Sequence, residues 1–266
     1  MRFLQDLNDK VVVVTGGSAG LGEKICYEAA RQGAIVVVCA RRINLIGKVK
    51  EQCEALSGKE AHSFQLDIAD PENVEHVIER INNEVGTVDV LVNNAGFGVF
   101  DDFLDADMAV ARNMFNVNVL GMMVFTQKIA IQMAEHGQGH IINVASMAAK
   151  MATPKTSIYS ATKFAVLGFS NALRLELKPL GIAVTTVNPG PIATNFFDQA
   201  DPTGDYLESL GFIVLEPEKL AREIVQAMGT TKREINRPRI MEGAARFYTL
   251  LPHLGDFLAG GIFNKK

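Results

Sequence analysis

The sequence predicts an α/β fold in a single domain, with one doubly wound parallel sheet of about seven strands and helices on both faces. Two observations predict it. Short β-branched runs alternate with longer helix-patterned stretches, the rhythm of βαβ units. The runs are also apolar throughout, as required of strands covered on both faces. A third observation bounds the number of domains. The chain has 266 residues, 48% apolar and 21% charged, which suits one sizeable core, and no repeat or flexible linker divides it.

Taken in order, the first strand is expected at residues 11–15 and the next ones at 35–39, 62–66, 88–92, 140–145 and 182–187, with a last strand at 234–236. Between the first strand and the helix-patterned residues 23–31 stands Thr15-Gly16-Gly17-Ser18-Ala19-Gly20-Leu21-Gly22. Glycines let this turn close tightly and approach a ligand, and the free N–H groups and dipole of the following helix favour a pyrophosphate. The spacing is G-x-x-x-G-x-G, distinct from the G-x-G-x-x-G of many dinucleotide folds. Asp70-Pro71-Glu72 supplies a cap and a first-turn proline for a third helix. Long helices are expected around residues 107–136 and 157–180.

The second of these carries chemistry. Tyr159 and Lys163 stand four residues apart on a helical pattern and so share a face, with Ser146 thirteen residues before the tyrosine. A phenol with a pKa of about 10 is a poor acid near neutrality, and a neighbouring cation lowers it. A serine hydroxyl beside the pair can hold a substrate oxygen while the proton moves.

With Asn93-Asn94-Ala95-Gly96 after the 88–92 run and Pro189-Gly190-Pro191-Ile192-Ala193-Thr194 after the 182–187 run, the chain resembles the short-chain dehydrogenase/reductase family. The resemblance covers about residues 8–230, with every major motif in order. It implies a Rossmann-type oxidoreductase in which Asn118, Ser146, Tyr159 and Lys163 match the catalytic tetrad. By the same resemblance, Lys163 binds the nicotinamide ribose and depresses the Tyr159 pKa, while Asn118 holds a water of the proton relay. Gly16, Ser18, Gly20, Leu21 and Gly22 then belong to the cofactor site, as do Pro189, Gly190, Ile192 and Thr194. Asp67 and Ile68 border the adenine, and Asn94, Ala95 and Gly96 lie on the adenosine ribose side. Asp67 has a second reading as a helix cap, although Asp70 suits that task better. Ala145 stands where many relatives carry a second serine, a departure at a flanking position.

Cofactor choice is argued at the end of the second strand. NAD-preferring relatives place an aspartate where this chain has Ala40, and Arg41 and Arg42 follow, able to offer paired donors to a 2'-phosphate. NADP(H) is therefore preferred, with NAD(H) possible; the competing reading makes the two arginines a solvated helix start. The implied function is NADPH-dependent reduction of a ketone or aldehyde. The alternatives are alcohol oxidation by the same residues and a dinucleotide-binding redox sensor without turnover, against which the intact tetrad argues.

A lid is expected at residues 191–215, rich in Phe196, Phe197, Tyr206, Leu207, Leu210, Phe212 and Ile213. These side chains suit an apolar or lipid-like substrate, or else helices of the lid packed on the core. Lys155 or a tail arginine remains available as a carboxylate clamp. The catalytic domain spans residues 1–236, and residues 237–266 form an amphipathic extension, split at Pro252, in which Ala244, Phe247, Tyr248, Leu251, Leu254, Phe257 and Leu258 recur at helical spacing. Residues 231–266 hold seven Lys/Arg against three Asp/Glu, a net +4 on a chain whose total is −4. The extension covers the pocket or a subunit interface, or it rests on an anionic membrane.

Partners are thus a small carbonyl or alcohol substrate and, by the family resemblance, a second or further copies in a homodimer or homotetramer. The acidic balance speaks against nucleic acid. Cys26, Cys39 and Cys53 show no C-x-x-C spacing and read as buried thiols, and the five scattered histidines, His136 and His140 among them, suggest no metal site. No stretch reaches about 18 consecutive apolar residues and the start has no long apolar segment, so a cytoplasmic location is expected, peripheral to a membrane if the extension binds one.

Overall fold

The computed structural model describes residues 6–201 and 213–260. Its strands are β1 (Val11–Thr15), β2 (Ile35–Ala40), β3 (His62–Gln65), β4 (Val90–Asn93), β5 (Gly139–Val144), β6 (Ile182–Pro189) and β7 (Glu234–Arg237). They form one seven-stranded sheet in the order β3-β2-β1-β4-β5-β6-β7, every pair parallel. The order reverses between β1 and β4, and a crevice opens at the carboxyl ends of the strands there. The helices are α1 (Gly20–Arg31), α2 (Ile43–Ser57), α3 (Pro71–Glu84), α4 (Met108–Phe115), α5 (Met122–Glu135), α6 (Ser157–Leu177), α7 (Phe197–Ala200), α8 (Pro217–Ala227), α9 (Arg239–Leu250) and α10 (Pro252–Gly260).

Wholly apolar strands feed two cores. Val12, Val14, Val36 and Val38 pack on one side with Ile25 of α1 and Ile224 of α8. Val11, Val13, Val37 and Leu91 pack on the other with Ile81 of α3 and Phe125 and Ile129 of α5. Each such side chain contributes about 1.5–3 kcal/mol on burial, which is why neither face is left to water.

Local chemistry sets the element ends. Asp70 caps α3, accepting from the N–H groups of Glu72 (3.0 Å) and Asn73 (3.3 Å), with Pro71 as its first residue. Strand β4 begins at Val90, later than the apolar run suggests, and Asp89 just before it accepts the N–H of Val11 at 3.0 Å. The expected helix at 157–180 ends at Leu177 and finishes in a 3-10 turn, Lys178–Leu180, closed by left-handed Gly181. The expected helix at 107–136 is interrupted: Asn116–Gly121 winds as a π-helix between α4 and α5. By length and composition Met108–Glu135 is apolar enough to cross a bilayer, which the count of consecutive apolar residues did not show, but half of its apolar window is buried in the fold. Phe125, Ile129 and Met133 on its inner face are core, while Leu120 and Ile131 stay exposed.

Cys26, Cys39 and Cys53 are buried free thiols, and desolvation pushes Cys39 and Cys53 up to about 12. His140 is the second residue of β5 and fully buried. Its Nδ1 accepts the Gly229 N–H at 3.0 Å, which leaves Nε2 to donate to Thr185 Oγ1 at 2.9 Å. Burial holds the ring neutral, with its pKa lowered from 6.5 to about 4. The unfolded chain therefore binds more protons in this range, and stability is complete above pH 6.5 and declines as pH falls toward 4. The expected loss is up to about 3 kcal/mol from this residue. Urea midpoints measured across pH 4–6.5 should show it, and His140→Gln should flatten that part of the profile.

Candidate active site

The site is built where β1 and β4 part. Thr15, the last residue of β1, accepts the N–H groups of Asn94 and Ala95 through Oγ1, both at 3.1 Å. Asn94 returns two bonds through Nδ2, to the carbonyls of Thr15 (3.1 Å) and Gly16 (3.2 Å). The glycine turn is thereby stitched to the loop after β4. Gly16 has a φ of 66°, and a Cβ there would stand 2.8 Å from Ala95 Cα, so no other residue fits. Ala19 at the cap position of α1 offers no side-chain acceptor, and the first N–H groups of the helix face the cleft without a cap.

A cleft of about 470 Å³ runs from this turn across the carboxyl edge of the sheet. It brings together Gly16, Ser18, Gly20, Leu21, Arg41, Arg42, Asp67, Ile68, Asn94, Ala95 and Gly96 with Ser146, Tyr159, Lys163, Pro189, Gly190, Ile192 and Thr194. Two expected residues stand behind its wall. Gly22 lies under the turn, where a Cβ would be 2.4 Å from Gly16 O, a packing position. Asn118 is buried beneath the loop after β4.

At one end of the cleft, Arg42 donates to Ser18 Oγ at 2.9 Å, a link between the second strand and the glycine turn that sequence spacing did not reveal. Helix α2 starts at Ile43, so Arg41 and Arg42 precede it while lining the cleft. Asp67 accepts the Ala69 N–H at 3.0 Å and caps no helix; Ile68 beside it is buried. The π turn packs directly under this wall, since a Cβ on Gly121 would lie 2.0 Å from the carbonyl oxygen of Ile68.

At the other end stand the polar groups. Lys163 is buried and donates from Nζ to the Val144 carbonyl at 3.1 Å; desolvation lowers its pKa from 10.5 to about 8. Its Nζ lies 5.7 Å from the centroid of the Tyr159 ring. Ser146 accepts the Ala148 N–H at 3.1 Å and donates to the Pro189 carbonyl at 3.4 Å, which ties the turn after β5 to the end of β6. Asn118 Oδ1 accepts the Phe97 N–H (3.0 Å), while Nδ2 donates to the Phe97 carbonyl (2.8 Å) and to Thr162 Oγ1 (3.1 Å). Both Nδ2 protons are used, so the side chain is a staple. The π turn at this position presents the amide to the loop.

An apolar box surrounds the phenol. Phe100 meets the Tyr159 ring edge-on at 5.5 Å, and Phe196 lies 5.8 Å away, with Phe197 against Phe100 at 6.2 Å. Phe100, Met147, Met151 and Met241 line the cleft without having been singled out in the sequence. For Phe100 the available signal was its place just after the glycine-rich loop of β4; Met241 had none. The feet of the expected lid are pinned together, with Ala193 N–H to Leu215 O at 3.0 Å and Leu215 N–H to Pro191 O at 2.8 Å. Tyr206, Leu207, Leu210 and Phe212 lie outside the described residues. Lys155 lies 3.7 Å from Asp102 and does not line the cleft, and no tail arginine does so among the described residues. Among the described residues no three His, Cys, Asp or Glu side chains gather as metal ligands.

A family model described as short chain dehydrogenase matches residues 10–204. The chain belongs to the short-chain dehydrogenase/reductase family. It is an oxidoreductase acting on CH–OH and C=O groups, with the NAD(P)-binding fold of that family. It is 34% identical to glycine betaine reductase of Emericella nidulans over 84% of this chain, but spans only 18% of that much longer protein. It is 31% identical to farnesol dehydrogenase of Aedes aegypti, over 84% of this chain and 91% of that one. Among solved structures, a short-chain dehydrogenase of Sphingobium yanoikuyae in complex with NADPH is similar at 25% identity. Its TM-score is 0.79, and the match covers 94% of this chain and 95% of that chain.

The residues present fit a dinucleotide. Gly96 leaves open the space beside the site's buried polar groups: a Cβ there would stand 3.0 Å from Asn118 Oδ1 and 3.6 Å from Lys163 Nζ. The contact of the π turn with Ile68 allows a test of how the wall is held. Gly121→Ala is expected to cost about 2 kcal/mol or more, because backbone must move. It should also weaken dinucleotide binding, read as a lower urea midpoint together with a raised Kd for NADPH.

Proposed function

We propose that the protein is an NADPH-dependent carbonyl reductase acting on an apolar, lipid-like ketone or aldehyde. One observation carries the reading: a buried phenol, Tyr159, stands between a buried cation, Lys163, and the aromatic side chains Phe100 and Phe196. A proton donor is thereby placed in a mostly apolar setting, and the described residues of the cleft offer no charge clamp at that end.

In this reading Ser146 and Tyr159 hold the carbonyl oxygen, which polarises the carbon and fixes its face. NADPH supplies the hydride when bound. Tyr159 gives its phenolic proton to the oxygen as negative charge develops there. Lys163 stabilises the tyrosinate left behind and meets the cofactor's ribose hydroxyls. Its carbonyl partner, Val144, keeps the ammonium at the end of β5. Asn118 holds the loop at Phe97 and the helix at Thr162, and the second lone pair of its Oδ1 is what it offers to a relay water.

NADPH is preferred over NADH because Ala40 leaves no carboxylate to repel a 2'-phosphate, while Arg41 and Arg42 line the same end of the cleft. The similar structure bound to NADPH supports this, and farnesol, in the name of the Aedes aegypti relative, is an apolar alcohol. The same groups serve alcohol oxidation in reverse. The enzyme works as a homodimer or homotetramer, a reading supported by Leu120, Ile131 and Leu175, which α5, α6 and the π turn leave half or more exposed.

Two measurements test the reading. Tyr159→Phe is expected to lower turnover of an apolar ketone about 100-fold or more while NADPH still quenches or enhances fluorescence on binding. Retained turnover removes the assignment. Arg42→Ala is expected to raise KM for NADPH about tenfold and to leave KM for NADH nearly unchanged. An equal effect on both cofactors returns the arginine to the role of a helix start.

A further inference from the structure

Ser146 caps a 3-10 turn, Met147–Ala149, and its Oγ accepts the Ala148 N–H at 3.1 Å. The single proton of the hydroxyl goes to the Pro189 carbonyl at 3.4 Å, a long bond that is cheaply exchanged for one to a substrate oxygen. Once that exchange is made, the turn is what fixes the oxygen. The far end of the turn is fastened by Lys150, a residue with no part in the reaction described so far.

Lys150 closes the turn, its N–H on the Met147 carbonyl at 2.9 Å. Its Nζ donates to Glu234 Oε2 at the start of β7. The same carboxylate oxygen accepts from Asn236 Nδ2 at 3.2 Å, and Asn236 Oδ1 accepts from Asn188 Nδ2 at 2.8 Å. Asn188 and Asn236 are buried partners in the register of β6 and β7. Asn188 directly precedes Pro189, whose carbonyl receives the serine proton. The links form a closed ring, from Ser146 through the turn to Lys150, Glu234, Asn236 and Asn188, and through Pro189 back to Ser146. Lys150 and Glu234 keep only 20% and 18% of their side-chain surface exposed, so their attraction is screened less than that of an open surface pair.

We propose, on the reading of Ser146 as a ligand of the carbonyl oxygen, that Lys150 is a positioning residue for the reduction. Through Glu234 it clamps the turn that carries Ser146 to the last strand and so sets where the hydroxyl meets the substrate. Misplacing such a group by about 1 Å costs up to about 100-fold in rate, so a clamp outside the cleft has leverage on turnover.

Lys150→Met removes the clamp and leaves Glu234 with Asn236 and with Arg233 Nε at 3.4 Å, so the carboxylate keeps partners. It is expected to lower kcat with NADPH and 2-decanone about tenfold and to leave the Kd for NADPH within about twofold. Lys150→Arg should restore most of the rate. In a Ser146→Ala background the same Lys150→Met change should cost no more than about twofold, because the group it positions is already gone. Amide hydrogen exchange of residues 148–151 in the cofactor-free protein should quicken about tenfold in Lys150→Met and stay near wild type in Lys150→Arg. Glu234→Gln, with the same signs, is the second variant should Lys150→Met fail to fold. Unchanged exchange overturns the proposal, and this readout needs no substrate, so it decides the clamp even where 2-decanone is not reduced. Losses that multiply in the double variant also overturn it, while leaving the serine in the reaction. Full turnover by Ser146→Ala takes the serine out of the reaction and the positioning role with it.

Discussion

Where two parallel strands diverge, backbone groups at their carboxyl ends lose the partners that the ladder supplies elsewhere, and side chains must replace them. Thr15 and Asn94 do so here, and the rest of the site hangs on their exchange of bonds. Asn94 holds the glycine turn and so sets where the N-terminus of α1 points. The same loop continues to Phe97, whose backbone is held by Asn118, and Asn118 reaches Thr162, whose hydroxyl in turn donates to the Tyr159 carbonyl at 2.7 Å. A continuous line of hydrogen bonds thus joins the glycine cradle to the helix that carries the phenol. Each bond adds only about 1 kcal/mol, but a buried group left without its partner costs about 1–3 kcal/mol, so the positions are set jointly.

Burial does the electrostatic work at the far end. Removing Lys163 from water lowers its pKa to about 8, a cost to the folded state that a structural lysine would avoid by reaching the surface. Its ammonium is kept near the phenol by the Val144 carbonyl, and the aromatic rings around Tyr159 exclude water from the space in front of it. A weakly solvated cation acts on a neighbouring charge more strongly than one at the surface. The same low polarity underlies the proposal of an apolar carbonyl substrate.

The chain beyond β7 adds two helices, α9 and α10, after the sheet is complete. Strands and helices of the body bury their apolar residues on both faces of the sheet, and α9 adds Met241 to the wall of the cleft. On its outer side Ile240, Phe247 and Leu250 stay exposed. Phe196 and Phe197 at the described foot of the lid and Met241 of α9 line the same cleft.

The periodicity of apolar residues is a local property, so strands β1 to β7, the glycine turn and the shared face of Tyr159 and Lys163 were legible along the chain. Asp70 as a cap and the buried thiols follow from equally short-range chemistry. The π winding at Asn116–Gly121 was not legible, because it arises where Gly121 must pass the carbonyl of Ile68 from a distant segment. Nor were the bond between Arg42 and Ser18, the placing of Gly22 and Asn118 behind the wall, the contribution of Met241 or the buried setting of His140. The amino-acid sequence by itself determined the parallel α/β architecture, the family and the candidate reactive groups, since each depends on residue type and short spacing. Tertiary structure alone decided which of those groups share a cleft, how far desolvation shifts Lys163, and which half of the tail stripe stays uncovered, since burial and long-range contact exist only once distant segments meet.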